Sequence, residues 1–273
     1  KTGDHFLDPG WTQYSKAALY VTFDITSQLK RGINAIGVML GNGFYYTPRE
    51  RYRKITIAYG YPKMICRIFL EYADGSSENI VSDNSWKAAP GPVTFSSIYG
   101  GEDYDANLKQ TGWDRPLFND QHWRNVQLVD GPRELNTQME EPLKILDSFS
   151  VKKITQPKPG CWVYDFGQNA SGIFSIRVKG AVKQQITFRP AELITDDGLV
   201  TQEAVGTPVY FNYTLRGGGI EEWQPQFTYY GFRYIQIEGA VPSGAPNPEN
   251  LPELIEIKSL HTRNGAAKTG YFS

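Results

Sequence analysis

The stretch best equipped for chemistry is Tyr99-Gly100-Gly101-Glu102-Asp103-Tyr104-Asp105-Ala106-Asn107. Three carboxylates beside a flexible Gly-Gly pair could hold a hard cation or accept hydrogen bonds from sugar hydroxyls. The same residues have a plainer use, because carboxylates in loops accept from backbone amides and cap turns. Glycoside hydrolysis would need two carboxyl groups, one to protonate the leaving oxygen and one to activate water or attack. With 29 acidic residues in the chain, some pair must lie close together, so proximity alone assigns nothing.

Other reactive groups are sparse. Cys66 and Cys161 fall far apart in sequence and read as small buried residues rather than a disulfide. His5, His122 and His261 are isolated, without metal-ligand spacing. A formal net charge of −1 and the lack of a basic run argue against nucleic acid or an anionic membrane as partner. No stretch is long and apolar enough to span a bilayer as a helix, and no signal-peptide pattern is read. Trp11, Trp86, Trp113 and Trp123 could stack on sugar rings if exposed, but large aromatics are mostly buried, so core packing is expected. Arg49–Lys54, basic and polar, reads as a solvated loop.

The elements that must position these groups are strands. The length of 273 residues suits two domains, and 27 glycines with 17 prolines indicate many turns rather than long helices. Leu19–Ile25, Ile33–Leu40, Met64–Tyr72 and Val93–Tyr99 are the strand candidates of the first domain, with a hairpin signal at Asp74-Gly75. One short helical turn is expected within Phe118–Trp123. Gln138–Lys144, with Pro142, is the expected connection. Beyond it the candidates are Ile145–Ile154, Cys161–Phe166, Ile173–Lys179, Gln185–Pro190, Val209–Leu215, Glu222–Thr228, Arg233–Glu238 and Glu256–Leu260. Trp162–Phe166 and Ile173–Val178 flank a polar turn at 167–172 and read as a hairpin, the second run alternating with period two. Short strands at close spacing give an all-β chain of two consecutive jelly-roll-type β-sandwich domains, 1–140 and 141–273.

A series of motifs adds to this. Asp8-Pro9-Gly10-Trp11-Thr12-Gln13-Tyr14, Leu40-Gly41-Asn42-Gly43-Phe44-Tyr45 and Gly100-Gly101-Glu102-Asp103-Tyr104-Asp105-Ala106 come first. Gly112-Trp113-Asp114, Asp165-Phe166-Gly167-Gln168-Asn169, Pro190-Ala191-Glu192-Leu193 and Tyr213-Thr214-Leu215 follow, then Pro225 to Tyr234. In order and spacing the series resembles bacterial α-L-rhamnosidases of glycoside hydrolase family 78, over nearly the whole chain.

The resemblance implies the N-terminal β-sandwich region and a concanavalin-like domain, ending at the lead-in to a helical catalytic barrel. No helix-period segment of useful length occurs, so the barrel is not in this sequence, and the first domain is expected to be truncated at its start. The family's acid and base lie in that barrel, so no residue here is assigned a catalytic role and activity of the chain alone is not expected. Some relatives carry a module resembling carbohydrate-binding module family 67, which holds rhamnose through calcium. By that likeness Glu102 and Asp105 are candidate calcium ligands, and Asn42 and Tyr99 join them as candidate carbohydrate contacts. Asn107 stands where family members often have Arg, which alters the local pairing. The implied partners are a rhamnose-containing carbohydrate and the barrel, and the implied location is periplasmic or extracellular. The alternative is a structural scaffold without a ligand of its own.

Overall fold

The computed structural model describes residues 1–51, 59–206 and 208–272. Its regular structure is almost wholly β, the helical part of the described residues being the 3-10 turns Thr26–Gln28 and Ala106–Leu108. The first part of the chain supplies β1 (Ala17–Tyr20), β2 (Arg67–Glu71), β3 (Ser77–Val81) and β4 (Lys87–Ala88). It continues with β5 (Val93–Ser97), β6 (Gly101–Asp105), β7 (Arg124–Asn125) and β8 (Glu134–Thr137). Next come β9 (Leu143–Ser150), β10 (Lys153–Lys158), β11 (Cys161–Lys179), β12 (Gln185–Ala191), β13 (Leu193–Ile194) and β14 (Val200–Thr201). The last are β15 (Phe211–Thr214), β16 (Ile220–Trp223), β17 (Tyr230–Glu238), β18 (Val241–Pro242) and β19 (Glu253–Asn264).

In the first part the strands pair in twos: β1 with β8 in parallel, β4 with β7 and β2 with β3 antiparallel. The β2–β3 hairpin turns at Asp74-Gly75 as its sequence requires. Gly75 has φ +84°, and Asp74 Oδ1 accepts from the Ser76 amide at 2.9 Å.

β13 and β14 pair with each other, and the other strands join one sheet of 11, in the order β18-β19-β11-β17-β12-β15-β6-β5, with β9 on β19 and both β10 and β16 on β11. Its continuity hides two layers. Residues 161–165 and 170–172 of β11 pair with β17, whereas residues 172–179 pair with β19. Phe174, on the latter half, meets Phe188 of β12 at 4.9 Å and Phe211 of β15 at 5.2 Å between ring centroids. These contacts cross between layers, and the core lies there: Ile176, Val178, Ile186, Ile235 and Ile237 are all buried around them. Burial of so many large side chains is the main stabilising term of this half. The fold is all-β, in two consecutive β domains.

Several expectations need correction. Trp162–Gly180 is not a hairpin: β11 runs unbroken from Cys161 to Lys179. Asp165 lies opposite Tyr234 and Ala170 opposite Phe232, so residues 166–169, among them the buried Phe166, bulge across from the single residue 233. A bulge bends a strand and strengthens its twist without reversing it; beyond it residues 170–172 pair with β17 again, and from Gly172 onward β11 pairs with β19. The expected strand Leu19–Ile25 ends at Tyr20, and Ile33–Leu40 forms no ladder and is largely exposed. Ile145–Ile154 divides into β9 and β10. Phe118–Trp123 contains turns and no helix. Within Arg49–Lys54, Arg51 is buried, while residues 52–54 lie outside the described residues.

The sheet also takes in two strands from before residue 140. β6 pairs in parallel with β15 in the register Asn212 to Asp103, Tyr213 to Tyr104 and Thr214 to Asp105, and β5 forms its outer neighbour. The acidic stretch is therefore a strand, not a loop.

Candidate functional site

The β5–β6 hairpin is built tightly against the second half of the chain. Its turn is held by Ser97 Oγ, which accepts from the Gly100 amide at 3.0 Å and the Tyr99 amide at 3.3 Å. Gly101 then starts β6 at φ +97°, where a Cβ would overlap the carbonyl oxygen of Tyr210. Only glycine meets both demands.

From Gly101 the side chains alternate. Glu102 and Tyr104 point inward, Asp103 and Asp105 outward, as the period of two requires. Tyr104 stacks on Tyr213 with centroids 5.7 Å apart. Glu102 is 0 % exposed, and its Oε2 accepts from the Gln226 and Phe227 amides, both at 2.9 Å. Its Oε1 is buried without a hydrogen-bond partner. Burial raises the Glu102 carboxyl to about 7, and neighbouring Asp103 adds to the rise, while the two amides act the other way.

Asp103 is spoken for by Arg51, whose Nη2 pairs with Asp103 Oδ2, and by the Asn212 amide, which donates to Oδ1 at 3.1 Å. Arg51 is 6 % exposed. Its guanidinium lies 4.0 Å from the Phe95 ring centroid and 3.7 Å from that of Tyr210, and Nη1 donates to the Tyr210 carbonyl at 2.9 Å. Asp105 caps the following 3-10 turn: its Oδ1 accepts from the Asn107 amide at 2.9 Å and from Asn107 Nδ2 at 2.7 Å.

The structure thus brings Asn42 and Tyr99 to the same hairpin as Glu102 and Asp105, but not into one ligand shell. Asn42 Nδ2 donates to the Ser96 carbonyl at 2.8 Å, opposite Glu102 in the β5–β6 register. Tyr99 is half-buried, with its ring edge toward Phe44 at 6.4 Å. Glu102 and Asp105 lie on opposite faces of β6 and cannot share an ion. Calcium takes six to eight oxygens. Here the inward face offers one carboxylate oxygen, and no group of three or more His, Cys, Asp or Glu among the described residues is placed to hold a metal. The residues do not fit the calcium site expected of Glu102 and Asp105.

Two features run against the sequence expectations. Trp11 is not packed in a core but 68 % exposed, lying over Phe44 at 4.7 Å. Arg51, expected in solvent, is the buried hub of the hairpin. Nothing in a single sequence pairs position 51 with 103, because the contact is set by tertiary structure alone.

A second polar cluster sits on the β11 bulge. Arg233 donates to both oxygens of Asp165 at 2.8 Å, which holds that carboxyl below its ordinary range, and Asp165 Oδ1 also accepts from the Gly167 amide at 2.7 Å. This is the Asx-type turn expected there. Asn169 Nδ2 donates to Glu192 Oε1 at 2.9 Å, beside a shallow cavity of about 230 Å³ between Glu192, Leu193, Val205 and Tyr230.

Comparison with known proteins decides the family. Residues 1–147 match the model of the alpha-L-rhamnosidase N-terminal domain, and residues 155–257 that of the bacterial alpha-L-rhamnosidase concanavalin-like domain. The chain belongs to the α-L-rhamnosidase family. An alpha-L-rhamnosidase of Streptomyces avermitilis is 35% identical over 88% of this chain and 23% of its own length. Another, of Formosa agariphila, is 32% identical over 100% of the chain and 29% of its own. The chain therefore spans about a quarter of these rhamnosidases. Among solved structures, the S. avermitilis alpha-L-rhamnosidase complexed with L-rhamnose superposes with TM-score 0.82 at 31% identity, covering 97% of this chain and 25% of that one. The native enzyme of Aspergillus terreus gives 0.80 at 31% identity, covering 100% and 31%.

Proposed function

We propose that this chain is the non-catalytic β portion of an enzyme that removes terminal α-L-rhamnose from plant glycans or glycosides, and that it serves there as a scaffold packed beside a helical catalytic barrel. Its relatives are α-L-rhamnosidases four times as long or nearly so, consistent with chemistry housed elsewhere. The observation that carries the scaffold reading is the internal commitment of the acidic stretch. Glu102 holds two backbone amides, Asp103 holds Arg51, and Asp105 caps a turn. Carboxylates used this way are structural. The reading includes a division near residue 140, which falls just before the matched families meet, and a periplasmic or extracellular setting, in keeping with a glycan substrate.

One observation favours a second reading. The exposed Trp11 face, backed by Phe44 and close to Tyr99, has the flat apolar character on which a sugar ring stacks. Calorimetric titration of the chain with L-rhamnose, with calcium and then with chelator, separates the readings. The scaffold reading expects no heat up to millimolar sugar. Calcium-independent heat lost in Trp11→Ala would establish the stacking platform instead. Calcium-dependent heat abolished by Glu102→Ala would overturn both in favour of the metal-bridged module.

A further inference from the structure

The joint between the β5–β6 hairpin and the rest of the sheet has a single buried carboxylate at its centre. Glu102 reaches across it to the Gln226 and Phe227 amides, and on the same side Thr228 Oγ1 donates to the Ile98 carbonyl at 2.9 Å. Residues 226–228 lead directly into β17, the middle of the second domain's sheet. Oε2 carries both hydrogen bonds, and Oε1 is buried without a hydrogen-bond partner among the described residues.

That asymmetry has a consequence for the proton. A neutral carboxyl needs one acceptor oxygen for the two amides, and Oε2 provides it, leaving the proton on Oε1. An ionised carboxylate spreads its charge over both oxygens, and half of that charge would sit on the enclosed Oε1 without a donor.

We propose that Glu102 is a proton-operated lock on this joint: the neutral carboxyl keeps the hairpin seated on residues 226–228, and ionisation loosens it. The groups facing Glu102 agree with this. On its own strand Asp103 is paired with Arg51, and burial raises the Tyr104 phenol above its ordinary range. β5 sets Ser96 opposite, and the 226–228 segment contributes Gln226, Phe227 and Thr228, none of which titrates. Among the described residues Glu102 makes no ion pair with a cation, and its carboxylate accepts from the Gln226 and Phe227 amides.

The sign follows from linkage. The seated carboxyl titrates near 7, while a solvated glutamate titrates near 4.3, so the seated state holds the extra proton between those values. Closure is fully favoured below the lower value. The advantage declines as pH rises between the two, and above about 7 the seated carboxyl is itself ionised. The joint opens about tenfold more often for each pH unit across that window. The proton released passes to solvent. This inference stands apart from the proposed function, since it concerns the joint whatever the chain binds.

Amide hydrogen exchange of Gln226 and Phe227 in the full chain, corrected for intrinsic base catalysis, reads the joint directly. Between pH 5 and 7 their protection should fall about tenfold per unit in the wild type. In Glu102→Gln, whose neutral amide oxygen accepts both N–H groups, the profile should be flat. Wild-type protection independent of pH, or an equal slope in Glu102→Gln, overturns the lock. Should that variant not fold, the carboxyl ¹³C shift of Glu102 in the wild type decides. A midpoint between pH 6 and 8 supports the lock, and one in the ordinary carboxylate range ends it.

Discussion

Arg51 shows how a side chain can be read wrongly by its neighbours in sequence. Its basic surroundings argued for solvent, yet it sits between the rings of Phe95 and Tyr210 and pairs with Asp103. Planar guanidinium suits that slot, as an ammonium would not. Removing one partner of an enclosed pair leaves a charge without compensation. Asp103→Ala should therefore lower unfolding stability by about 3 kcal/mol, read from the denaturant midpoint. The double variant Arg51→Met/Asp103→Leu should lose less than Asp103→Ala alone, because it removes the stranded cation as well. A larger loss in the double variant would show that the rings, not the charge, are what the site needs. The carboxylates themselves were legible as a group from Gly101 to Asp105. Their roles were not, because which face each occupies depends on β6 being a strand.

Among elements, β6 is decided by one glycine. At Gly101 a side chain meets both a left-handed backbone, φ +97°, and the Tyr210 carbonyl. Gly43, at φ +52°, has nothing within 4 Å of where a Cβ would fall. Gly43→Ala should then cost about 1 kcal/mol from backbone strain alone. Gly101→Ala should cost clearly more, about 3 kcal/mol or above, since the hairpin must also back away from β15. Thermal melts of the two variants side by side test this, and equal losses would mean that the hairpin is seated loosely. Strands of the second half were readable where apolar residues alternate, as at Ile173–Val178, and the β2–β3 turn was readable from Asp-Gly. The β11 bulge was not. A polar run between two strand-like segments looks the same in sequence whether the chain reverses or merely bends. Gly100-Gly101 misled similarly, since a flexible pair and a tight strand start share their composition.

Taken whole, the molecule does not divide where its chain order does. The matched families meet between residues 147 and 155, yet hydrogen bonding runs without a break from β19 to β5. A sheet shared in this way should melt as a unit. Calorimetry of the full chain should show one transition, with calorimetric and van't Hoff enthalpies equal. Two resolved transitions, with Gly101→Ala shifting only one of them, would show that the hairpin adheres to an independently stable domain. Sequence could not disclose this arrangement, because parallel pairing of Asp103 with Asn212 leaves no local pattern at either end.

The same pairing sets the order of events during synthesis. Asp103 leaves the ribosome 109 residues before Asn212, the residue whose amide it will accept. At typical translation rates the nascent hairpin waits on the order of 5–20 s with one strand edge open. An open edge is a template for the wrong neighbour, a second nascent copy included. The yield of soluble protein should then depend on how fast this span is translated, and on what shelters the hairpin until its partner strand arrives.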